Sequence, residues 1–181
     1  MMLHFSKFIT PAIVAAGFLL TAACETRQSV PQMEGHYTYA HAFDYDFQGN
    51  HFDVQETGTM DFHADGTARD SARQVYAVHF ADGDTATWVF NYISPSRWHL
   101  NADTLHFAGI KDGFRMQLVE GNDHNTGLAL QIIDLYGSSI DREQQFHLDT
   151  LTAVKMQWSL TYRDGQSDTW LFIRNDKAKK D

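Results

Sequence analysis

The sequence predicts an all-β domain, an antiparallel up-and-down barrel of about 8–10 strands. Three observations point there. Residues 35–174 alternate apolar and polar side chains with a period of two, which extended chain produces and a helix does not. Aromatic residues make up 13% of the chain and only three prolines occur, a balance that suits sheet and argues against disorder. Short turns bearing Asp and Gly divide the alternating stretch.

The first strand opens at Gly35 and sets Tyr37, Tyr39, His41, Phe43, Tyr45 and Phe47 on one face, with Thr38, Ala40, Ala42, Asp44 and Asp46 on the other. Further strands are expected at 52–62, 68–80, 86–92, 97–100, 105–107, 114–118, 128–132, 146–148, 154–162 and 169–174. No segment carries a convincing helical stripe, and 137–145 has room for a turn or two at most. Side-chain parity then constrains the loops. Apolar residues fall on even numbers from Phe52 to Phe62 and again at Tyr76, Val78 and Phe80. Keeping both sets on one face requires the three-residue loop Ala64-Asp65-Gly66, with Gly66 in the left-handed region. The same parity holds at Ala81-Asp82-Gly83 and at Arg163-Asp164-Gly165, which sets Trp158 against Trp170. At Asp112-Gly113 the parity reverses, so an even-numbered loop, a two-residue hairpin turn, is expected there. Sequential hairpins make a meander the simplest topology.

Ahead of the barrel, Lys7 supplies a basic flank, residues 8–20 an apolar run, and Thr21-Ala22-Ala23 the small residues of a cleavage site. As a helix, residues 8–20 would span about 20 Å, short of the roughly 30 Å hydrocarbon core, which argues against a membrane span; a plain secreted leader is the other alternative. Leu20-Thr21-Ala22-Ala23-Cys24 resembles the lipobox of bacterial lipoproteins, with Thr21 where that pattern prefers an aliphatic residue. The resemblance implies that residues 1–23 are a lipoprotein signal peptide and that Cys24 is lipidated and becomes the mature N-terminus. Cys24 is the only cysteine, so its acylation leaves no thiol for a disulfide. Residues 24–34 read as a lipidated tether and 175–181 as a charged tail. Glu25, rather than Asp, after Cys24 resembles lipoproteins sorted to the outer membrane. The expected location is the bacterial cell envelope, with the membrane as a partner through the lipid anchor.

The formal net charge is −9, and removing the leader makes it one unit more negative, which argues against nucleic acid as a partner. No nucleophile-elbow, phosphate-loop or metalloprotease signature occurs; no catalytic residue, cofactor or metal is expected. The histidines at 36, 51, 63, 79, 99, 106 and 124 alternate outward or sit in loops. Asp61, His63 and Asp65 form a row on one strand face, but Asp65 is needed by its turn. Gly121-Asn122-Asp123-His124-Asn125 lacks a later acidic anchor for calcium and reads as a loop.

Polar residues on the apolar face are the stronger clue. Pairing Phe47 with Phe52 places His41 opposite Gly58 and Phe43 opposite Glu56, and the next hairpin places Gln74 opposite Glu56. His41, Glu56 and Gln74 then converge on the interior as candidate ligand-binding residues, at diagonal spacings of about 7–8 Å. A buried carboxylate is paired, wetted or facing a ligand, so the cluster either satisfies itself or orients a bound molecule.

Gly35-His36-Tyr37, Phe62-His63-Ala64-Asp65-Gly66-Thr67 and Phe146-His147-Leu148-Asp149-Thr150-Leu151-Thr152, with the hairpin ladder between them, resemble the lipocalin-like barrels, in particular envelope lipoproteins of the Bacteroidetes type. Tyr37 stands where lipocalins usually carry tryptophan, and Arg174 matches the arginine that closes the barrel floor in that family. The resemblance covers roughly residues 35–174 and implies a non-catalytic barrel that binds or carries a small apolar ligand. The alternative is a structural or protein-interaction module of the envelope whose barrel is filled by its own side chains.

Overall fold

A computed structural model of the chain describes residues 33–121, 126–162 and 165–175. The signal peptide, Cys24, nearly all of the tether, Asn122–Asn125 and most of the charged tail lie outside the described residues. Nine strands and one helix follow in order: β1 (Gly35–Phe47), β2 (Asn50–Phe62), β3 (Thr67–His79), β4 (Thr85–Asn101), β5 (Thr104–Gly109), β6 (Arg115–Gly121), α1 (Thr126–Ser139), β7 (Gln144–Leu151), β8 (Lys155–Thr161) and β9 (Ser167–Arg174). Neighbours run β3-β2-β1-β9-β8-β7-β5-β4, and pairing of β3 with β4 closes the ring. β6 adds to β4 outside that ring. Every pairing is antiparallel, and the architecture is that of a lipocalin-like all-β barrel.

Parity fixed the wide turns correctly. His63 and Thr67 bracket Ala64-Asp65-Gly66, and Phe80 and Asp84 bracket Ala81-Asp82-Gly83. Gly66 and Gly83 have φ of 79° and 93°, where a Cβ would crowd the residue's own carbonyl oxygen. Tyr162 and Gln166 close the third such turn, and Trp158 lies opposite Trp170 as expected.

The first hairpin differs. Phe47 pairs with Asn50 rather than Phe52, because Gln48 and Gly49, with φ of 53° and 77°, form a two-residue turn. His41 therefore lies opposite Glu56, and Phe43 opposite Val54. A slip of two residues leaves every side chain on the face that parity assigned.

The expected break between 86–92 and 97–100 is absent, since β4 runs through Pro95 as one strand. In an antiparallel strand a residue's N–H and C=O point to the same side. The Pro95 carbonyl accepts from Ile110 N–H at 2.7 Å, so its missing N–H faces the place where β5 ends and β6 has yet to begin. There the two strands are joined by residues 110–114, which leave the ladder. The hairpin expected at Asp112-Gly113 does not form: β5 and β6 both pair with β4, and β5 takes β7 as its other neighbour.

Residues 128–132, expected as a strand, belong instead to α1. Leu128, Ala129 and Ile132 are buried, and Ile133 and Tyr136 pack beside them, a stripe of helical spacing. The helix has no acid in its first turn and no base in its last, so packing on the sheet holds it rather than its termini.

Two apolar clusters fill the interior along the long strands. Tyr37, Met60, Phe62, Leu105, Met156, Trp158 and Phe172 form the first. Phe52, Val54, Tyr76, Trp88, Phe90 and the α1 residues form the second. At the floor, Arg174 lies over the Tyr37 ring at 5.8 Å and donates to the Glu34 carbonyl. β9 pairs with β1 from Tyr37 to Tyr39.

Candidate functional site

Between the two apolar clusters lies a polar layer built from four neighbouring strands. β2 contributes Glu56, β3 contributes Asp70 and Gln74, β1 contributes Tyr39, and β4 contributes Tyr92. Their parities all point inward: Glu56 follows Phe52 and Val54, and Asp70 and Gln74 alternate with Ala68, Ala72 and Tyr76. Gly58, opposite Tyr39 and between Glu56 and Met60, makes room for the layer. A Cβ there would stand 2.9 Å from Tyr39 Cε1 and 2.8 Å from Ser71 O, so only glycine lets the phenol lie across the sheet toward the carboxylates.

The Tyr39 hydroxyl lies 2.6 Å from Glu56 Oε1 and 2.9 Å from Asp70 Oδ1. The Tyr92 hydroxyl lies 2.7 Å from Glu56 Oε1 and 2.7 Å from Asp70 Oδ2. Gln74 Nε2 donates to Glu56 Oε2 at 2.9 Å, and the Tyr76 hydroxyl donates to Gln74 Oε1 at 3.2 Å. Tyr136 of α1 reaches the same amide at 3.4 Å. Two phenols offer two hydrogens to four short carboxylate contacts, so a further proton is needed to make a third a hydrogen bond. Asp70 supplies it. Burial first, and then the charge of Glu56, push its carboxyl up to about 7. Burial likewise drives Tyr39, Tyr76 and Tyr92 above the ordinary phenol range, so all three remain protonated donors.

Of the three residues singled out from sequence, Glu56 and Gln74 meet in this network, 8% and 1% exposed. His41 lies beside it without joining. Its ring lies tilted against Trp170 at 4.4 Å and stacks on Phe43 at 5.3 Å, and its Nδ1 is buried without a hydrogen-bond partner. Burial lowers its pKa, with Glu56 and Asp168 pulling the other way. Asp70 was missed, although its even number in β3 places it on the inner face with Gln74. Tyr39 and Tyr92 also lie on inner faces by parity, but their reach to the carboxylates is visible only in three dimensions.

The polar layer forms one end of a cavity of about 320 Å³. Tyr39, Phe43, Phe107, Phe146, Trp158, Trp170 and Phe172 supply aromatic walls. Exposed Arg142, Gln144 and Tyr162 mark its mouth, with half-buried Asp168 beside them. This volume lies at the lower end of the roughly 300–1,000 Å³ usual for small-ligand sites. Such a chamber can exclude water from an apolar body while offering carboxylate and phenol groups at one end. Elsewhere, Asp61 of the outward row is engaged by His36 Nδ1 at 2.6 Å, and Asp65 caps Thr67 within its turn. Among the described residues no three His, Cys, Asp or Glu side chains are placed to hold a metal ion. No protein-family model matches this sequence, and no curated protein does.

Proposed function

We propose that this protein is a lipid-anchored barrel of the bacterial cell envelope that binds or carries a small and mostly apolar molecule in its central cavity. The aromatic-walled chamber of about 320 Å³, ending in a hydrogen-bonded polar layer, carries this reading. It also weighs against the alternative of a filled structural module, in which side chains would occupy that space. Catalysis forms no part of the proposal. The anchor rests on Cys24, the sole thiol, at the end of an apolar leader. A bound acyl chain gains about 0.8 kcal/mol per buried methylene, so more than one chain makes attachment persistent.

Native mass spectrometry of the full-length protein, released gently from detergent, tests the binding role. A co-purified small molecule that is lost from a Phe146→Trp variant, whose larger ring projects into the same wall, is the expected result. A protein that carries no adduct and shows no thermal shift with any member of a broad library of small apolar compounds would overturn it.

A further inference from the structure

Resting on the binding role proposed above, we propose that the cavity selects a ligand carrying a protonated amine, held by Glu56 and Asp70 with its apolar body against the aromatic walls.

The charge inventory of the chamber is one-sided. Glu56 and Asp70 are each 8% exposed, and among the described residues neither forms an ion pair with Lys, Arg or His. The only guanidinium in the lining, Arg142, is exposed at the mouth. Two carboxyl groups enclosed together without a cation are costly, and a third party bearing N–H donors and a positive charge would relieve that cost. The phenols of Tyr39 and Tyr92 satisfy the carboxylates only in part, because one hydroxyl hydrogen cannot serve two oxygens at once. An ammonium group brings up to three more donors.

The walls suit the same ligand. Aromatic faces attract cations, most strongly where water is excluded, and Tyr39, Trp170 and Phe172 line the chamber with the carboxyl groups. A separate observation also points to a guest. Trp158 lines the chamber and is 4% exposed, yet its indole Nε1 is buried with no hydrogen-bond partner. A buried N–H is rarely left unsatisfied. Fatty acids and other anions are disfavoured by the same arrangement, since their head group would meet two acids.

Isothermal titration of the detergent-solubilised full-length protein with three matched probe series tests this. The series are phenylalkylamines of one to four methylenes, the corresponding phenylalkanols, and the corresponding phenylalkanoates, all at pH 8. The expected result is that the best amine binds at least about 10-fold tighter than its alcohol and that the carboxylates bind weakest. Asp70→Asn and Glu56→Gln should each reduce the amine preference, and the double variant should abolish it while alcohol binding persists. Alcohols or carboxylates that match the amines would overturn the amine assignment and leave the binding role standing. Failure of all three series to bind, in the wild type and in the double variant alike, would overturn the assignment together with the binding role.

Discussion

Replacing Asp70 by Asn should stabilise the protein in a pH-dependent way, and the size of the effect follows from the polar layer. The unfolded carboxyl ionises near its ordinary 3.8, whereas the folded one holds its proton up to about 7. Between those values the native state carries a proton that the unfolded chain has lost, so the contribution of Asp70 to stability falls as pH rises from about 4 to about 7. At 1.36 kcal/mol per pH unit, the loss is about 4 kcal/mol in total. Asparagine keeps the shape, an acceptor and a donor, and does not titrate. Urea denaturation followed by tryptophan fluorescence, on wild type and variant at several pH values from 4 to 8, measures the difference. Taking the difference cancels other titrating groups, including Asp65, Asp141 and Glu143, whose carboxyls are held below their usual range by hydrogen bonds led by Thr67, Lys111 and His106 respectively. The variant should gain about 4 kcal/mol on the wild type between pH 4 and pH 8. A difference that stays flat across that range would refute the placement of Asp70 as a buried acid facing Glu56.

Gly58→Ala should destabilise by about 2 kcal/mol or more in the same denaturation assay, because its Cβ would press on Ser71 O and the Ala72 side chain as well as on Tyr39. Gly83→Val isolates a backbone effect, since nothing lies within 4 Å of a Cβ built there; its φ of 93° should make it lose more than about 1 kcal/mol, and an unchanged midpoint would count against the turn assignment. Tyr136→Phe should lower stability by about 1 kcal/mol by removing the hydroxyl that α1 extends to Gln74 and Tyr76, again read from the urea midpoint. Cys24→Ser should abolish labelling with radioactive palmitate and move the protein out of the membrane fraction; unchanged fractionation with no label in the wild type would refute the anchor.

What the sequence made legible was governed by parity. Alternation assigned Glu56 and Gln74 to the interior and fixed the loops at Gly66 and Gly83, because a one-residue slip would turn every side chain around. It had no power over slips of two, which is why the first hairpin closed at Gln48-Gly49 without disturbing either face. Leu128 to Ile132 is too short an apolar run to separate strand from helix, and the helical stripe emerges only when the window reaches Tyr136. The interruption expected between 86–92 and 97–100 lies instead across from Pro95, where β5 gives way to β6. The polar layer was legible in part, through Glu56 and Gln74, and its other members escaped for a different reason. Tyr39 and Tyr92 look like wall residues in sequence, and their hydroxyls acquire meaning only once strands from two sides bring them to the same pair of acids.

Between β1 and β9 the paired residues described are Tyr37–Tyr39 with Phe172–Arg174, and farther along His41 meets Trp170 through its ring. Wherever a strand's backbone lacks a neighbour it is an invitation to another chain. Asp44 and Asp46 project from the far stretch of β1 into solvent. Two copies brought together along this stretch would set acid near acid, which disfavours such a contact. Were the proposed lipid anchor in place, this repulsion would matter most, because neighbours on a membrane surface share one plane and meet repeatedly in similar orientations.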